Sequence, residues 1–214
     1  AAGVARQVRV LGDAEVGLFA AFEGGPGVLL IAGTGSIAFA RDPQGTLQRR
    51  GGYGWQLGDE GGGYWLGRRA LAAAGRTHDG REEGTTLLAR LLGALGLRDF
   101  DDLVRWAATA TTAQVAGLAP QVLNAARDGE GVALRLLEEA AQELADLVGS
   151  LGRHFPEPDP LRVATAGGLL RVDSPLYRAV LPALRTTVPR ARLEGGAVDA
   201  ALGALRLARE LVGG

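Results

Sequence analysis

The chain has 214 residues, of which 47% are hydrophobic, and its 23 basic and 24 acidic side chains leave a formal charge of −1. This composition is sufficient for a folded core. Every basic residue is Arg, and the absence of Lys and Cys excludes a Walker-type phosphate lysine, a Schiff-base lysine, a thiolate nucleophile, disulfides and cysteine-ligated metal clusters.

The first predicted elements are a short strand at residues 8–11 and a helix at residues 14–22, separated by Gly12-Asp13. Asp13 is open to two interpretations. It is either the N-cap of the helix or a carboxylate at a strand end, placed to accept a proton from a hydroxyl nucleophile.

Three strands follow at residues 28–32, 37–41 and 46–50, and their short connections predict an antiparallel meander. The first is a continuous apolar run, which is typical of a strand buried on both faces. The Gly33-Thr34-Gly35-Ser36 connection is either a tight hairpin turn or a cradle in which backbone N–H groups and hydroxyls hold phosphate oxygens.

The segment 51–63 contains seven glycines in thirteen positions, together with Tyr53, Trp55, Asp59 and Glu60. So many glycines cost backbone entropy without filling a core. This pattern favours close approach of the backbone to a polar ligand, with Asp59 accepting hydrogen bonds from hydroxyls. The alternative is a flexible surface loop whose acids cap the next helix.

The rest of the chain alternates between helices and strands. Helices are predicted at residues 64–74, at residues 86–152 with breaks near 96, 117–120 and 128–131, and at residues 197–211, and a further helix is predicted to start at Asp173-Ser174-Pro175. Strands are predicted at residues 161–165 and 191–193. Gly167-Gly168 either lets a purine or ribose lie against the backbone or forms an ordinary turn. The order of elements predicts an α/β domain with a mixed sheet that binds ligands at its glycine turns.

Several motifs, taken in order, resemble the N-acetylglucosamine kinase and BadF/BadG-type ATPase family, within the actin-like ATPase and sugar kinase superfamily. The resemblance covers essentially the whole chain. The motifs are Leu30-Ile31-Ala32-Gly33-Thr34-Gly35-Ser36, Gly51-Gly52-Tyr53-Gly54, Leu57-Gly58-Asp59-Glu60-Gly61, Tyr64-Trp65-Leu66-Gly67, Ala166-Gly167-Gly168 and Gly196-Ala197-Val198-Asp199-Ala200-Ala201-Leu202-Gly203-Ala204.

The resemblance implies a ribonuclease H-like actin-type ATPase lobe that uses ATP and Mg²⁺ to phosphorylate N-acetylglucosamine or glucosamine at the 6-hydroxyl. Positioning, backbone donors, Mg²⁺ and a base suffice for such chemistry. The implied site residues are Asp13 as general base; Gly33, Thr34 and Gly35 at the second phosphate loop; Ser36, Gly52, Tyr53 and Asp59 at the sugar; and Ala125, Ala126, Gly167 and Gly168 beside the adenosine.

The chain also departs from this family. Tyr53 stands where the family usually has Trp, and Gly62 where it has Ser. The Asp-Gly-Gly-Thr type of first phosphate loop does not occur in these 214 residues, and the chain does not begin with Met. We therefore expect residues 1–24 to be the tail of an N-terminal lobe and hinge. Residues 25–214 are expected to form the C-terminal lobe, with a helical insertion at about 86–152.

The expected partners are an amino sugar, ATP and, by resemblance, a second copy of the chain. Near-zero net charge with scattered Arg gives no footprint for nucleic acid, and no run of about 18 apolar residues predicts a membrane span. The absence of Cys fits the cytoplasm. Because the first phosphate loop is missing, two interpretations of the chain remain. It is either a catalytic lobe that is inactive alone or a non-catalytic domain that senses a sugar or a nucleotide.

Overall fold

The computed structural model describes residues 12–81, 85–194, 198 and 200–213, so the strand predicted at residues 8–11 lies outside the described residues. The strands are β1 (Gly27–Ala32), β2 (Ser36–Arg41), β3 (Leu47–Gly51), β4 (Leu161–Ala166) and β5 (Ala191–Leu193). The helices are α1 (Asp13–Phe22), α2 (Gly63–His78), α3 (Leu87–Leu95), α4 (Phe100–Thr109), α5 (Thr112–Ala116), α6 (Ala119–Arg127), α7 (Gly131–Gly152), α8 (Pro175–Thr187) and α9 (Ala200–Gly213).

The strands form one mixed sheet in the order β3-β2-β1-β4-β5. β1, β2 and β3 pair antiparallel, as predicted for the meander. β4 and β5 then pair parallel on the other side of β1, with Val28 opposite Val163. The predicted mixed sheet is therefore confirmed.

Helices cover both faces of this sheet. Leu30 of β1 belongs to the larger core, where α2, α6, α7 and α8 pack, whereas the adjacent Leu29 belongs to a smaller core with Leu18 and Phe22 of α1. Successive residues of a strand point to opposite faces. This double burial explains why β1 is a continuous apolar run.

Local signals in the sequence account for the helix boundaries. Ser174 caps α8 by accepting a hydrogen bond from the Tyr177 N–H at 3.0 Å, and Pro175 occupies the first helical turn as predicted. Glu130 caps α7 in the same way, accepting from the Ala133 N–H at 2.7 Å. α2 runs four residues beyond its predicted end, and an additional break separates α4 from α5.

The direction of the helices determines what lies at each edge of the sheet. In α1, Phe22 packs on Gly27 at the start of β1, and Gly17 packs on Leu29 farther along it. α1 therefore runs antiparallel to β1, and its first residue, Asp13, lies at the edge where the parallel strands end. α7 leads into β4, so its end lies at the opposite edge and its start on the same side as Asp13.

Candidate functional site

Two glycine turns lie side by side where the parallel strands β1 and β4 end. Ile31 pairs with Ala166, so the turns that follow these strands are in contact. Gly167 has φ +92°, and a Cβ placed on it would overlap the Ala32 carbonyl, lying 2.7 Å from its carbon. Only a residue without a side chain allows the two backbones to approach this closely.

Other glycines in these turns face open space. A Cβ placed on Gly33 or on Gly168 would have no neighbouring atom within 4 Å, and Thr34 is exposed. The Gly33 N–H donates to the Gly35 carbonyl at 2.9 Å, so residues 33–36 form the tight hairpin turn that was one interpretation of the sequence. That hairpin also presents accessible backbone, as the phosphate-cradle interpretation requires.

The glycine-rich segment 51–63 is hydrogen-bonded to this hairpin turn. The Gly63 N–H donates to the Gly33 carbonyl at 2.8 Å, and the Tyr64 N–H donates to the Thr34 carbonyl at 2.9 Å. These two donors belong to the first turn of α2, where helical N–H groups lack intrahelical partners. The turn carbonyls therefore satisfy these two donors.

Asp59 lies directly against the hairpin turn. Its backbone has φ +64°, an uncommon conformation for a residue with a side chain. A Cβ placed on Gly35 would lie 2.5 Å from Asp59 Cγ, so the carboxylate occupies space that only Gly leaves free. Gly62, which stands where the resembled family has Ser, would in turn place a Cβ 2.6 Å from the Gly35 carbonyl carbon.

Three apolar side chains of the same segment are exposed: Tyr53 (54%), Trp55 (47%) and Leu57 (80%). The Arg49 guanidinium carbon lies 5.0 Å from the centre of the Tyr53 ring, and Trp55 lies 5.2 Å from Tyr64, centre to centre. The sequence-based site did not include Arg49 or Trp55. The position of Trp55 in the glycine-rich segment was a sequence signal that could have placed it in the site. Arg49 lies on β3, 4 residues before Tyr53, and no sequence pattern marked it as a site residue.

The position of Asp13 is also defined by the structure. Gly12 is the N-cap of α1 and Asp13 is the first helical residue, so the interpretation of Asp13 as the cap is wrong. The Asp13 side chain is exposed and lies at the edge of the sheet where the glycine turns are. This position leaves its carboxylate accessible to a substrate.

The residues predicted beside the adenosine differ in exposure. Ala125 is fully buried in the larger core, whereas Ala126 lines a cleft of about 420 Å³ between α6, α7 and α8. α8 follows the Gly167-Gly168 turn, so this cleft lies on the same side of the sheet as the two turns. Its wall is mainly apolar, with charged side chains at Arg127, Glu138 and Arg178.

Acidic side chains surround the end of the glycine-rich segment. Partial burial raises the pKa of Glu143 on α7, and the nearby carboxylates of Glu60 and Asp146 raise it further, while Arg69 lowers it. In residues 12–81, 85–194 and the described part of the C-terminal region, no group of three or more His, Asp or Glu residues is arranged to hold a metal ion.

The structure thus brings together most of the predicted site. Gly33, Thr34 and Gly35 lie beside the Gly167-Gly168 turn and against Asp59. Ser36 is also there, but it is only 3% exposed and its hydroxyl is bonded to the Glu60 carbonyl.

Among the described residues, no helix is long and apolar enough to cross a membrane.

Comparisons with known proteins agree with this geometry. The chain is 33% identical over 210 residues to an N-acetylmuramic acid/N-acetylglucosamine kinase of Clostridium acetobutylicum, covering 97% of the chain and 69% of that protein. It is 32% identical over 189 residues to an N-acetyl-D-glucosamine kinase of Dictyostelium discoideum, covering 85% of the chain and 59% of that protein. The chain therefore spans roughly three fifths to seven tenths of the length of these relatives.

Solved structures show the same relationship. A Chromobacterium violaceum protein assigned as an N-acetylglucosamine kinase superposes with a TM-score of 0.73 at 35% identity, over 91% of this chain and 64% of that one. A ROK-family glucokinase from Streptomyces griseus, solved with glucose and AMPPNP, superposes with a TM-score of 0.55 at 19% identity, over 94% and 68% of the two chains. The predicted ribonuclease H-like fold of actin-type ATPases and sugar kinases is confirmed.

The family model of the BadF/BadG/BcrA/BcrD ATPases matches residues 2–208, nearly the whole chain. The two glycine turns and the glycine-rich segment contain several of the motifs on which the sequence resemblance was based. This chain belongs to the BadF/BadG/BcrA/BcrD ATPase family.

Proposed function

We propose that this chain is the nucleotide- and sugar-binding part of an ATP-dependent kinase that phosphorylates N-acetylglucosamine or glucosamine at the 6-hydroxyl. One observation carries the proposal. The glycine turn at the end of β1 lies against the glycine turn at the end of β4 and is hydrogen-bonded to a segment that presents Asp59 and exposed aromatic rings. The names of the curated relatives support the same substrate class.

The nucleotide would lie along the two glycine turns. Gly33, Thr34 and Gly35 would contact its phosphates, and the accessible backbone of Gly168 would face the adenosine. The mainly apolar cleft beside Ala126 suits a purine base, since small-molecule sites are mostly apolar with a few polar groups. Bound Mg²⁺ would neutralise charge on the phosphates.

The sugar would lie on the glycine-rich segment. Asp59 would accept hydrogen bonds from ring hydroxyls, Gly52 would allow the sugar to approach the backbone, and Tyr53 would contact an apolar face of the ring. Asp13 would accept the proton of the 6-hydroxyl as its oxygen attacks the γ-phosphorus. The bond between that phosphorus and the β-phosphate oxygen then breaks, and ADP leaves.

The proposal extends to the setting of the reaction. We place it in the cytoplasm, where ATP is available, and in a homodimer. Light scattering of the purified chain would measure its oligomeric state, and a monomer over a wide concentration range would contradict the dimer. We also propose that residues 1–24 continue from a first lobe and that residues 25–214 form the second.

The test of the proposed activity is ADP formation coupled to sugar phosphorylation by the full-length protein that the gene encodes. Asp13→Asn should lower kcat by about 10²- to 10⁴-fold and change the sugar Kd by less than about twofold. The matched control is Glu15→Gln, two positions along the first turn of α1, which should keep near-normal turnover.

Three outcomes would contradict parts of this proposal. Near-normal turnover by Asp13→Asn would remove Asp13 from catalysis. Binding of sugar and nucleotide with no turnover by the full-length protein would favour a sensing domain. Rapid phosphorylation of N-acetylglucosamine by the 214-residue chain alone would show that a first phosphate loop is not required.

A further inference from the structure

The hairpin turn 33–36 has two sides with different surroundings. On the outer side, Gly33 faces open space and Thr34 is exposed. On the inner side, the turn is bonded to the glycine-rich segment and to the start of α2. The backbone proposed to contact phosphate is therefore the same backbone that supports the segment proposed to contact the sugar.

On the inner side of the turn, Ser36 is hydrogen-bonded to two residues of the glycine-rich segment. Its hydroxyl donates a hydrogen bond of 2.6 Å to the Glu60 carbonyl, and its own carbonyl accepts a hydrogen bond of 2.9 Å from the Gly52 N–H. Gly52 and Glu60 lie near the two ends of the proposed sugar segment. Ser36 thus holds both ends while its own side chain is 3% exposed, which leaves the hydroxyl little access to a substrate.

Gly35 makes the second connection. Since the Asp59 carboxylate lies where a Cβ on Gly35 would be, a shift of the turn toward Asp59 at Gly35 would displace the Asp59 side chain. Asp59 also has a left-handed backbone conformation, which persists in proteins only when surrounding contacts fix it. The Ser36–Glu60 hydrogen bond next to Asp59 is one such contact.

We propose that Ser36 and Gly35 are positioning residues that couple the two substrate sites, so that nucleotide bound on the turn strengthens sugar binding on segment 51–63. The inference rests on the proposed function. Ordering of the turn by one ligand would also order the segment that the other ligand requires. Such coupling is reciprocal, so the sugar must strengthen nucleotide binding by the same factor.

The test measures four affinities by calorimetry on this chain: N-acetylglucosamine with and without Mg²⁺-AMPPNP, and Mg²⁺-AMPPNP with and without the sugar. In the unmodified chain we expect each ligand to strengthen the other about fivefold or more. In Ser36→Ala the factor should fall below about twofold, while the affinity for nucleotide alone stays within about twofold of the original.

Two further variants separate positioning from a general structural role. Ser36→Thr keeps the hydroxyl on a β-branched side chain that suits a strand, and it should restore the coupling. Ser150→Ala removes a hydroxyl whose 2.9 Å bond to the Leu147 carbonyl is local to α7, and it should leave the coupling unchanged. Loss of coupling in Ser150→Ala would show that any deleted serine hydroxyl has this effect.

A ligand-free measurement tests the mechanical connection independently. Hydrogen exchange of amides in segment 51–63 should accelerate in Ser36→Ala, while amides of β4 exchange as before. Unchanged exchange in segment 51–63 would overturn the role of Ser36.

The outcomes also separate this inference from the proposed function. If both ligands bind without affecting each other, the coupling is wrong and the proposed function stands. If Ser36→Ala and the unmodified chain show the same coupling factor, Ser36 does not carry it. If neither nucleotide nor sugar binds to the unmodified chain, the proposed function is contradicted and the coupling with it.

Discussion

The two edges of the sheet carry different kinds of cleft. At the edge where β4 begins, α7 and α8 end beside a cleft of about 750 Å³. At the edge where β1 and β4 end, the cleft beside Ala126 is about 420 Å³. The larger cleft lies on the opposite side from the glycine turns, so cavity size alone does not mark the candidate site.

The difference lies in how the backbone is satisfied. The last carbonyls of a helix need external donors. At the larger cleft, one Arg190 nitrogen donates to the Gly152 and Phe155 carbonyls at 2.7 and 3.1 Å, and the other terminal nitrogen donates to Pro156 and Asp159. At the opposite edge, the glycine turns keep accessible backbone. At the edge where β4 begins, the Arg190 side chain thus satisfies the backbone carbonyls. At the edge where β1 and β4 end, the backbone of the glycine turns stays accessible to a ligand.

The largest expected effect separates the two glycines of one turn. Gly167→Ala should lower the free energy of unfolding by about 3 kcal/mol or more, because it combines φ +92° with overlap of the Ala32 carbonyl. Gly168→Ala has open space around its new methyl group and should change stability by less than about 0.5 kcal/mol while weakening nucleotide binding.

Urea denaturation and calorimetry with Mg²⁺-AMPPNP measure these two effects. A stable Gly167→Ala would contradict the close backbone contact between β1 and β4. Unchanged nucleotide affinity in Gly168→Ala would indicate that the nucleotide does not approach this turn.

The next effect concerns the opposite edge. Arg190→Ala should destabilise the chain by about 2 kcal/mol, because partly buried carbonyls lose a charged donor. Arg192→Ala is the matched control: its side chain bonds only the nearby Pro189 and Ala191 carbonyls among the contacts of the described residues, and it should cost less than about 0.5 kcal/mol.

Thermal unfolding and nucleotide affinity would both be measured for these variants. We expect Arg190→Ala to keep its nucleotide affinity, because the change lies at the edge away from the glycine turns. A large loss of affinity at preserved stability would instead place part of the nucleotide site at the larger cleft.

The smallest effect is a difference in titration between Glu143, near the glycine-rich segment, and Asp102, on α4. Hydrogen bonds from Arg98 and then Arg105 lower the pKa of Asp102 to about 2, whereas partial burial and neighbouring acids raise the pKa of Glu143. NMR titration should show Glu143 taking up a proton at higher pH than Asp102. Glu60→Gln should lower the pKa of Glu143 by removing a neighbouring negative charge.

The two groups have opposite signs in the pH dependence of stability. The stabilisation from Asp102 is present above the ordinary pKa of Asp and is lost as the pH falls toward about 2. Glu143 disfavours the folded state once ionised, so stability falls as the pH rises from the ordinary pKa of Glu through its raised value. Glu143→Gln should remove that slope, and an unchanged slope would contradict the environment of Glu143.

Several elements were predictable because their signals are local. The apolar run of β1 and the Ser174-Pro175 start of α8 each report on neighbouring residues alone, and both predictions are confirmed. The predicted end of α2 was wrong, and the break between α4 and α5 was not predicted. Tertiary packing can extend or interrupt a helix in ways that its local sequence does not indicate. The N-cap of α1 was displaced by one residue, from Asp13 to Gly12.

By itself, the sequence determined the family, the order of elements and the glycine motifs, since these depend on residue types at fixed spacing. Tertiary structure alone decided which glycines pack and which stay open. Gly167 and Gly35 leave room for the Ala32 carbonyl and the Asp59 carboxylate, whereas Gly33 and Gly168 face open space. The sequence shows only glycine at the packed positions and at the open positions alike. The difference arises because β4, distant in the chain, pairs beside β1 and brings the second turn against the first.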